Sequence, residues 1–123
     1  MLSSSSFILK QDNTLYGCGW NEHGQLGLGD KTNRTIFTII GINTNDIKSI
    51  YCGDGHTLIL KNDGTLWGCG KNDYGQLGLG DKNNRNIFTQ ITTNANNIKS
   101  VYCSDDSTFI LTNDGTLWGC GYN

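Results

Sequence analysis

Short apolar runs, each closed by Gly, Asn or Asp, recur along the whole chain. In its middle they are Ile47 to Cys52, Thr57 to Lys61, Thr65 to Gly70 and Ile87 to Ile91. They are too short for helices and rich in Ile, Leu, Thr, Tyr and Trp, which predicts β-strands. Asn62-Asp63-Gly64 predicts a tight hairpin of the primed type, since Asn, Asp and Gly tolerate positive φ. Asn113-Asp114-Gly115 repeats that signal, and Asp12-Asn13 takes its place near the start. The run from Gly24 to Asp30 holds too many glycines for a helix or a strand interior. It predicts a compact loop whose two leucines fill the gap between neighbouring sheets.

The runs are copies of one unit. At an offset of 51 residues, Gly17-Cys18-Gly19 falls on Gly68-Cys69-Gly70, and the seven residues from Gly24 fall on those from Gly75 without a gap. About 32 of 50 aligned positions are identical, well beyond chance. A partial third copy follows, with Asp114-Gly115-Thr116-Leu117-Trp118-Gly119-Cys120-Gly121 in register. The expected organisation is one domain over 1–123, with repeats at about 6–56 and 57–107 and a partial one at 108–123. Four strands per unit of this length is the arithmetic of a β-propeller blade, a small sheet that buries its faces only against its neighbours.

The residues that carry this pattern are specific. Leu66-Trp67-Gly68-Cys69-Gly70, Asn72-Asp73-Tyr74-Gly75-Gln76-Leu77-Gly78-Leu79-Gly80-Asp81, and the His56-Thr57 pair resemble the repeats of the RCC1 (regulator of chromosome condensation) family. The resemblance covers nearly the whole chain and implies an all-β, RCC1-like propeller segment. Its family phasing gives a first blade without its inner strand, a complete second blade, and a third without its outer strand. A seven-bladed ring needs roughly 350 residues at this period, so about two and a half blades form an open arc unless further chain or other copies complete it. Phe37 and Phe88 stand where the family often has Pro. Neither a basic chromatin-binding tail nor a wedge-like insertion is present, so chromatin binding and nucleotide exchange find little support.

Composition narrows the function classes. Charged residues are 16% of the chain and the net charge is −2, with the nine basic residues scattered singly. No basic run is available to displace counterions from a phosphate backbone, which argues against nucleic-acid binding. No apolar run has membrane-spanning length, and the start lacks a secretory pattern. The expected location is intracellular, cytoplasmic or nuclear. The odd count of five cysteines, with no Cys-x-x-Cys pair, predicts reduced thiols buried between blades, and no metal or other cofactor.

Repetition also removes most apparent active-site residues. Asp63 and its equivalents belong to hairpins, and Asp30 and Asp81 end the glycine-rich loop, where each is expected either to bond nearby backbone N–H groups or to pair with Arg34 or Arg85, which recur with them. No nucleophile, base or phosphate-loop ending is found, so no catalytic residue and no enzymatic activity is expected. Positions where the copies disagree are free to carry specificity. These are Trp20, Lys71 and Tyr122, Glu22-His23 against Asp73-Tyr74, and Gly53, Gly55 and His56 against Ser104, Asp106 and Ser107. In an up-and-down blade the loops holding them emerge on one face. The expected partner-binding residues are therefore Trp20, His23, His56, Lys71, Tyr74 and Tyr122. The expected function is a non-enzymatic protein-interaction module or regulatory scaffold, which self-associates if its blade edges are left open. A carbohydrate-binding propeller, or a piece of a larger regulator of a small GTPase, is the alternative.

Overall fold

The computed structural model describes residues 4–42, 46–93 and 95–122. Among the described residues, ten strands form three antiparallel sheets. The first holds β1 (Ser5–Leu9), β2 (Leu15–Gly19) and β3 (Arg34–Ile39). The second holds β4 (Ile47–Cys52), β5 (His56–Lys61), β6 (Leu66–Gly70) and β7 (Arg85–Ile91), paired in that order. The third holds β8 (Ile98–Cys103), β9 (Ser107–Thr112) and β10 (Leu117–Gly121). The middle sheet is a full blade; among the described residues the first sheet has no equivalent of β4 and the third none of β7. Ladder irregularities recur at equivalent places, Gly17/Gly19 with Gly68/Gly70 and Ile47/Ser49 with Ile98/Ser100.

The hairpin turns differ in type from the primed turn. Gly64 donates its N–H to Lys61 O at 3.0 Å, Lys61 N–H bonds Thr65 O at 2.9 Å, and positive φ falls on Gly64 (86°) and not on Asp63. This is the three-residue hairpin with a bulge, in which one left-handed position after an ordinary turn restores the strand twist. Asn13 (φ 69°) fills that position in the first blade. Asp63 accepts from both N–H and Oγ1 of Thr65, so the aspartate serves as an Asx cap.

Two apolar clusters hold the blades together. Leu15 and Ile40 of the first blade meet Ile47, Ile59, Cys69 and Phe88 of the second. Leu58, Leu60, Leu66 and Ile91 of the second meet Val101 and Ile110 of the third. The dependence on neighbours shows at the arc's end: Leu66 is 2% exposed, whereas its equivalent Leu117 is 63% exposed. Burying such a side chain contributes about 1.5–3 kcal/mol, which a lone blade cannot collect.

The glycine-rich loops sit inside these junctions. Leu26 and Leu77 are fully buried, while Leu28 and Leu79 pack against the two clusters. Gly27 (φ 70°) faces the Phe88 ring so closely that a Cβ would lie 2.5 Å from it. Gln25 and Gln76 offer their carbonyl oxygens to Thr57 and Thr108 Oγ1 of the next blade, at 2.8 and 2.7 Å. Within each loop a buried asparagine is the hub. Asn72 Nδ2 donates to Asp81 O and Oδ1 and to Asn83 O, and its Oδ1 accepts the Leu77 N–H. Asn21 repeats the arrangement. The Arg34–Asp30 and Arg85–Asp81 pairs expected from the sequence form at 2.7 and 2.8 Å. Each guanidinium holds its carboxylate below the ordinary range.

The cysteines follow the expectation only in part. Cys69 is fully buried and points its thiol at Gln25 O, at 3.4 Å; burial pushes its pKa up. Cys52, on the innermost strand, is exposed, whereas its equivalent Cys103 packs against the second cluster; among the described residues the first sheet has no inner strand to cover Cys52.

His56 is a second correction. It is 1% exposed and lies in the second junction, so it is no surface contact. Its Nε2 is 2.9 Å from Thr108 Oγ1, whose hydroxyl proton is already given to Gln76 O. Nε2 must then carry the proton, which leaves buried Nδ1 as an acceptor without a partner. Burial lowers the His56 pKa to about 4.

Asn72→Ala, which strips four hydrogen bonds from a buried hub, should lower unfolding stability by about 2–4 kcal/mol in urea titrations. Arg85→Ala, removing a solvent-screened pair, should barely move the midpoint. The His56 pKa is depressed on folding, so the unfolded chain takes up the extra proton first. Its stabilising contribution is therefore complete above about pH 6.5 and is lost as the pH falls toward 4. Between pH 7 and 4.5 the wild type should lose about 2–3 kcal/mol that His56→Gln does not lose.

Candidate functional site

The loops after the first and third strands of each blade emerge at one end of the sheets, and the variable residues sit in them. The backbone fixes these loops tightly. His23 N–H bonds Gln25 Oε1 and Tyr74 N–H bonds Gln76 Oε1, both at 2.9 Å. Trp20 N–H is bound by Ser4 O, Lys71 N–H by Gly55 O, and Tyr122 N–H by Asp106 O. Equivalent residues are thus placed at equivalent points of successive blades, and they differ only in side chain.

The side chains form a strip of two groups, one at each junction, which approach each other over Gly55. The Trp20 and His23 rings meet edge to face, with centroids 5.1 Å apart. His23 reaches over the next blade: a Cβ on Gly55 would lie 3.1 Å from its Cδ2 and 3.3 Å from Lys71 Cβ. A side chain on Gly55 would press on both, and each would have to give by a few tenths of an ångström. The Lys71 ammonium lies 5.5 Å from the Tyr74 ring centroid, and Tyr74 packs at 4.7 Å against Tyr122. Tyr74 and Tyr122 remain 44% and 64% exposed. Five of the six residues singled out from the sequence are brought together here. His56 is the exception, lying beneath the strip inside the junction.

Asp106 belongs to the site and was missed as a candidate. Its Oδ1 is 3.1 Å from Lys71 Nζ and 3.5 Å from Gln76 Nε2. The hydrogen bond from Lys71 to Asp106 raises the lysine pKa, so the ammonium stays charged throughout the physiological range. At the first junction Trp20 replaces Lys71 and Gly55 replaces Asp106, and the amide Nε2 of Gln25 has no partner among the described residues. The readable signal was this exchange of two residues together. A pair of opposite charges at one junction becomes a neutral pair at the other.

The arrangement has aromatic surface, hydrogen-bond donors and charges, but no nucleophile beside a base. No group of three or more potential metal ligands occurs among the described residues. A depression of about 720 Å³ opens at the opposite end, between the 62–64 hairpin and residues 95–98. It is shallow and polar, lined by Lys48, Lys61, Asp63 and Asn113.

Comparison with known proteins agrees with the architecture. The regulator of chromosome condensation (RCC1) repeat model matches residues 12–60 and 63–111, and a second model of that repeat matches 47–76. Mouse X-linked retinitis pigmentosa GTPase regulator is 39% identical over 119 residues, covering 94% of this chain and 12% of that protein. The ultraviolet-B receptor UVR8 of Arabidopsis thaliana is 35% identical over 115 residues, covering 92% and 26%. Yeast RCC1 (Prp20), solved bound to Kap60, superposes with a TM-score of 0.85 at 26% identity, covering 96% of this chain and 30% of that one. The chain spans about a quarter or less of the length of these curated relatives. With the family's repeats in register and its blades in three successive sheets, the chain belongs to the RCC1 repeat family and forms an open arc of its β-propeller.

Proposed function

We propose that this chain is a non-enzymatic protein-interaction module, and that the face bearing Trp20, His23, Lys71, Tyr74 and Tyr122 is where its partner docks. The observation carrying this reading is the presence of two partly exposed aromatic pairs, Trp20–His23 and Tyr74–Tyr122, at positions where the repeats diverge. Residues identical in every blade serve the junctions; a residue unique to one blade and exposed is free for a partner. Aromatic side chains supply large contact area at low entropic cost, which favours them at interface centres.

Within a longer protein the arc would act as part of a regulatory scaffold inside the cell, its chemistry supplied by the bound partner. The relation to a protein named as a GTPase regulator favours a second reading, in which that partner is a small GTPase. Further blades, from the same protein or from a second copy, would cover the apolar surface at Phe109 and Leu117.

A photo-crosslinking residue at position 74 tests the docking face, with one at position 63 on the opposite end as control. Protein adducts are expected at 74 and not at 63, and Trp20→Ala should reduce them while leaving the unfolding temperature within about 2 °C of wild type. Equal adducts at both positions, or a midpoint lowered by more than about 5 °C in Trp20→Ala, would make the strip a packing feature. Adduct-free chain that binds selectively on a glycan array would favour the carbohydrate-binding alternative.

A further inference from the structure

The charges on this face are not distributed as they are over the rest of the chain. Glu22 and Asp73 immediately precede His23 and Tyr74, and Asp54 and Asp105 immediately precede Gly55 and Asp106. All four are exposed. The three ion pairs among the described residues use Asp30, Asp81 and Asp106 and none of these four. The one lysine of the strip, Lys71, is already neutralised by Asp106. Other basic residues lie elsewhere. Lys10 and Lys61 flank hairpins at the opposite end, and Lys48 and Lys99 enter the inner strands from that end. Lys31 and Lys82 sit beside the Asp–Arg pairs at the outer rim. Asp12, Asp46, Asp63 and Asp114 at the hairpin end also stand outside these ion pairs, but the four lysines of that end balance them, whereas the four carboxylates of the strip face have only Lys71 among them.

The chain also displays the contact such a face makes. Lys71 holds its ammonium 3.1 Å from a carboxylate oxygen and 5.5 Å from a tyrosine ring centroid. Carboxylate and ring face attract a cation through the same field, one by charge and the other by its quadrupole. Tyr122 leaves most of its ring open beside Tyr74, and the exposed Asp73 and Asp105 are chain neighbours of Tyr74 and of Asp106, whose carbonyl accepts the Tyr122 N–H.

Resting on the docking face proposed above, we infer that its occupant is a lysine- and arginine-bearing segment of a partner protein. The cations of that segment lie over the Tyr74–Tyr122 pair and against the carboxylates of Asp73 and Asp105. Acidic and phosphorylated segments meet four unpaired carboxylates and are turned away, so this face selects partners by sign of charge as well as by aromatic contact.

The test uses the full chain and two fluorescent nonapeptides, one with six Lys and Arg residues and one with Glu in their places, read by anisotropy. The basic peptide should bind and the acidic one should not. Raising NaCl from about 50 to 300 mM should weaken binding about tenfold, because the carboxylates are exposed to screening. Asp73→Asn with Asp105→Asn should weaken it about tenfold at low salt, and Tyr122→Ala about fivefold at both salt concentrations, with unfolding midpoints unchanged. Asp12→Asn with Asp114→Asn, at the opposite end, should change nothing. Equal affinity for the two peptides, no binding of the basic one, or an equal loss in the Asp12/Asp114 control would overturn the inference. If crosslinks at position 74 persist in that case, the docking face stands and only its charge preference fails.

Discussion

A four-stranded sheet has two faces and can bury neither by itself, and everything else in this chain answers that constraint. The answer is the loop between the third and fourth strands. It lays Leu26 or Leu77 into the junction and turns the carbonyl of Gln25 or Gln76 toward a threonine of the next blade. Apolar burial supplies the driving force, and the threonine hydroxyl fixes the angle at which one blade meets the next. Loop rigidity comes from Asn21 and Asn72, whose amides satisfy backbone groups that would otherwise be stranded in a dry junction.

The same loop that closes the junction also carries the variable face. Asn72 and Gln76 are fixed by folding, while Asp73 and Tyr74 between them are not, so a rigid base presents changeable side chains. That division explains how two junctions of nearly identical backbone differ so much in chemistry. One is clamped by Lys71, Asp106 and Gln76; the other carries Trp20, His23 and Gly55, with His23 leaning across the glycine. A repeat protein can alter its recognition surface this way without disturbing the residues that stack its blades.

Much of the fold was legible from the chain itself. The repeat gave strand number and order because each strand is apolar, short and punctuated, and in a repeat every signal is read twice. The loop leucines and the Asp–Arg pairs were visible for the same reason. What escaped was information held in side-chain direction. His56 looked like a surface residue because it differs from Ser107, yet its strand position turns it into the junction, where it donates to Thr108. Cys52 was expected to be buried with the other thiols, but the first sheet has no inner strand among the described residues to cover it. Asp106 was recognised as variable but not as a site residue, since its partner Lys71 lies 35 positions away. The hairpin type turned on whether Asp63 or Gly64 takes positive φ, a choice that composition alone leaves open.

Native-state hydrogen exchange at the Leu26 and Leu77 amides tests most directly the claim that junction loops, and not the isolated sheets, hold this arc together. Both amides are bonded to buried asparagine side chains. They should exchange only through global unfolding, with protection equal to the total unfolding free energy and to that of the β5 amides. If they instead exchange with the low opening free energy of ordinary surface loops while the strands stay protected, the loops merely decorate blades that are stable without them.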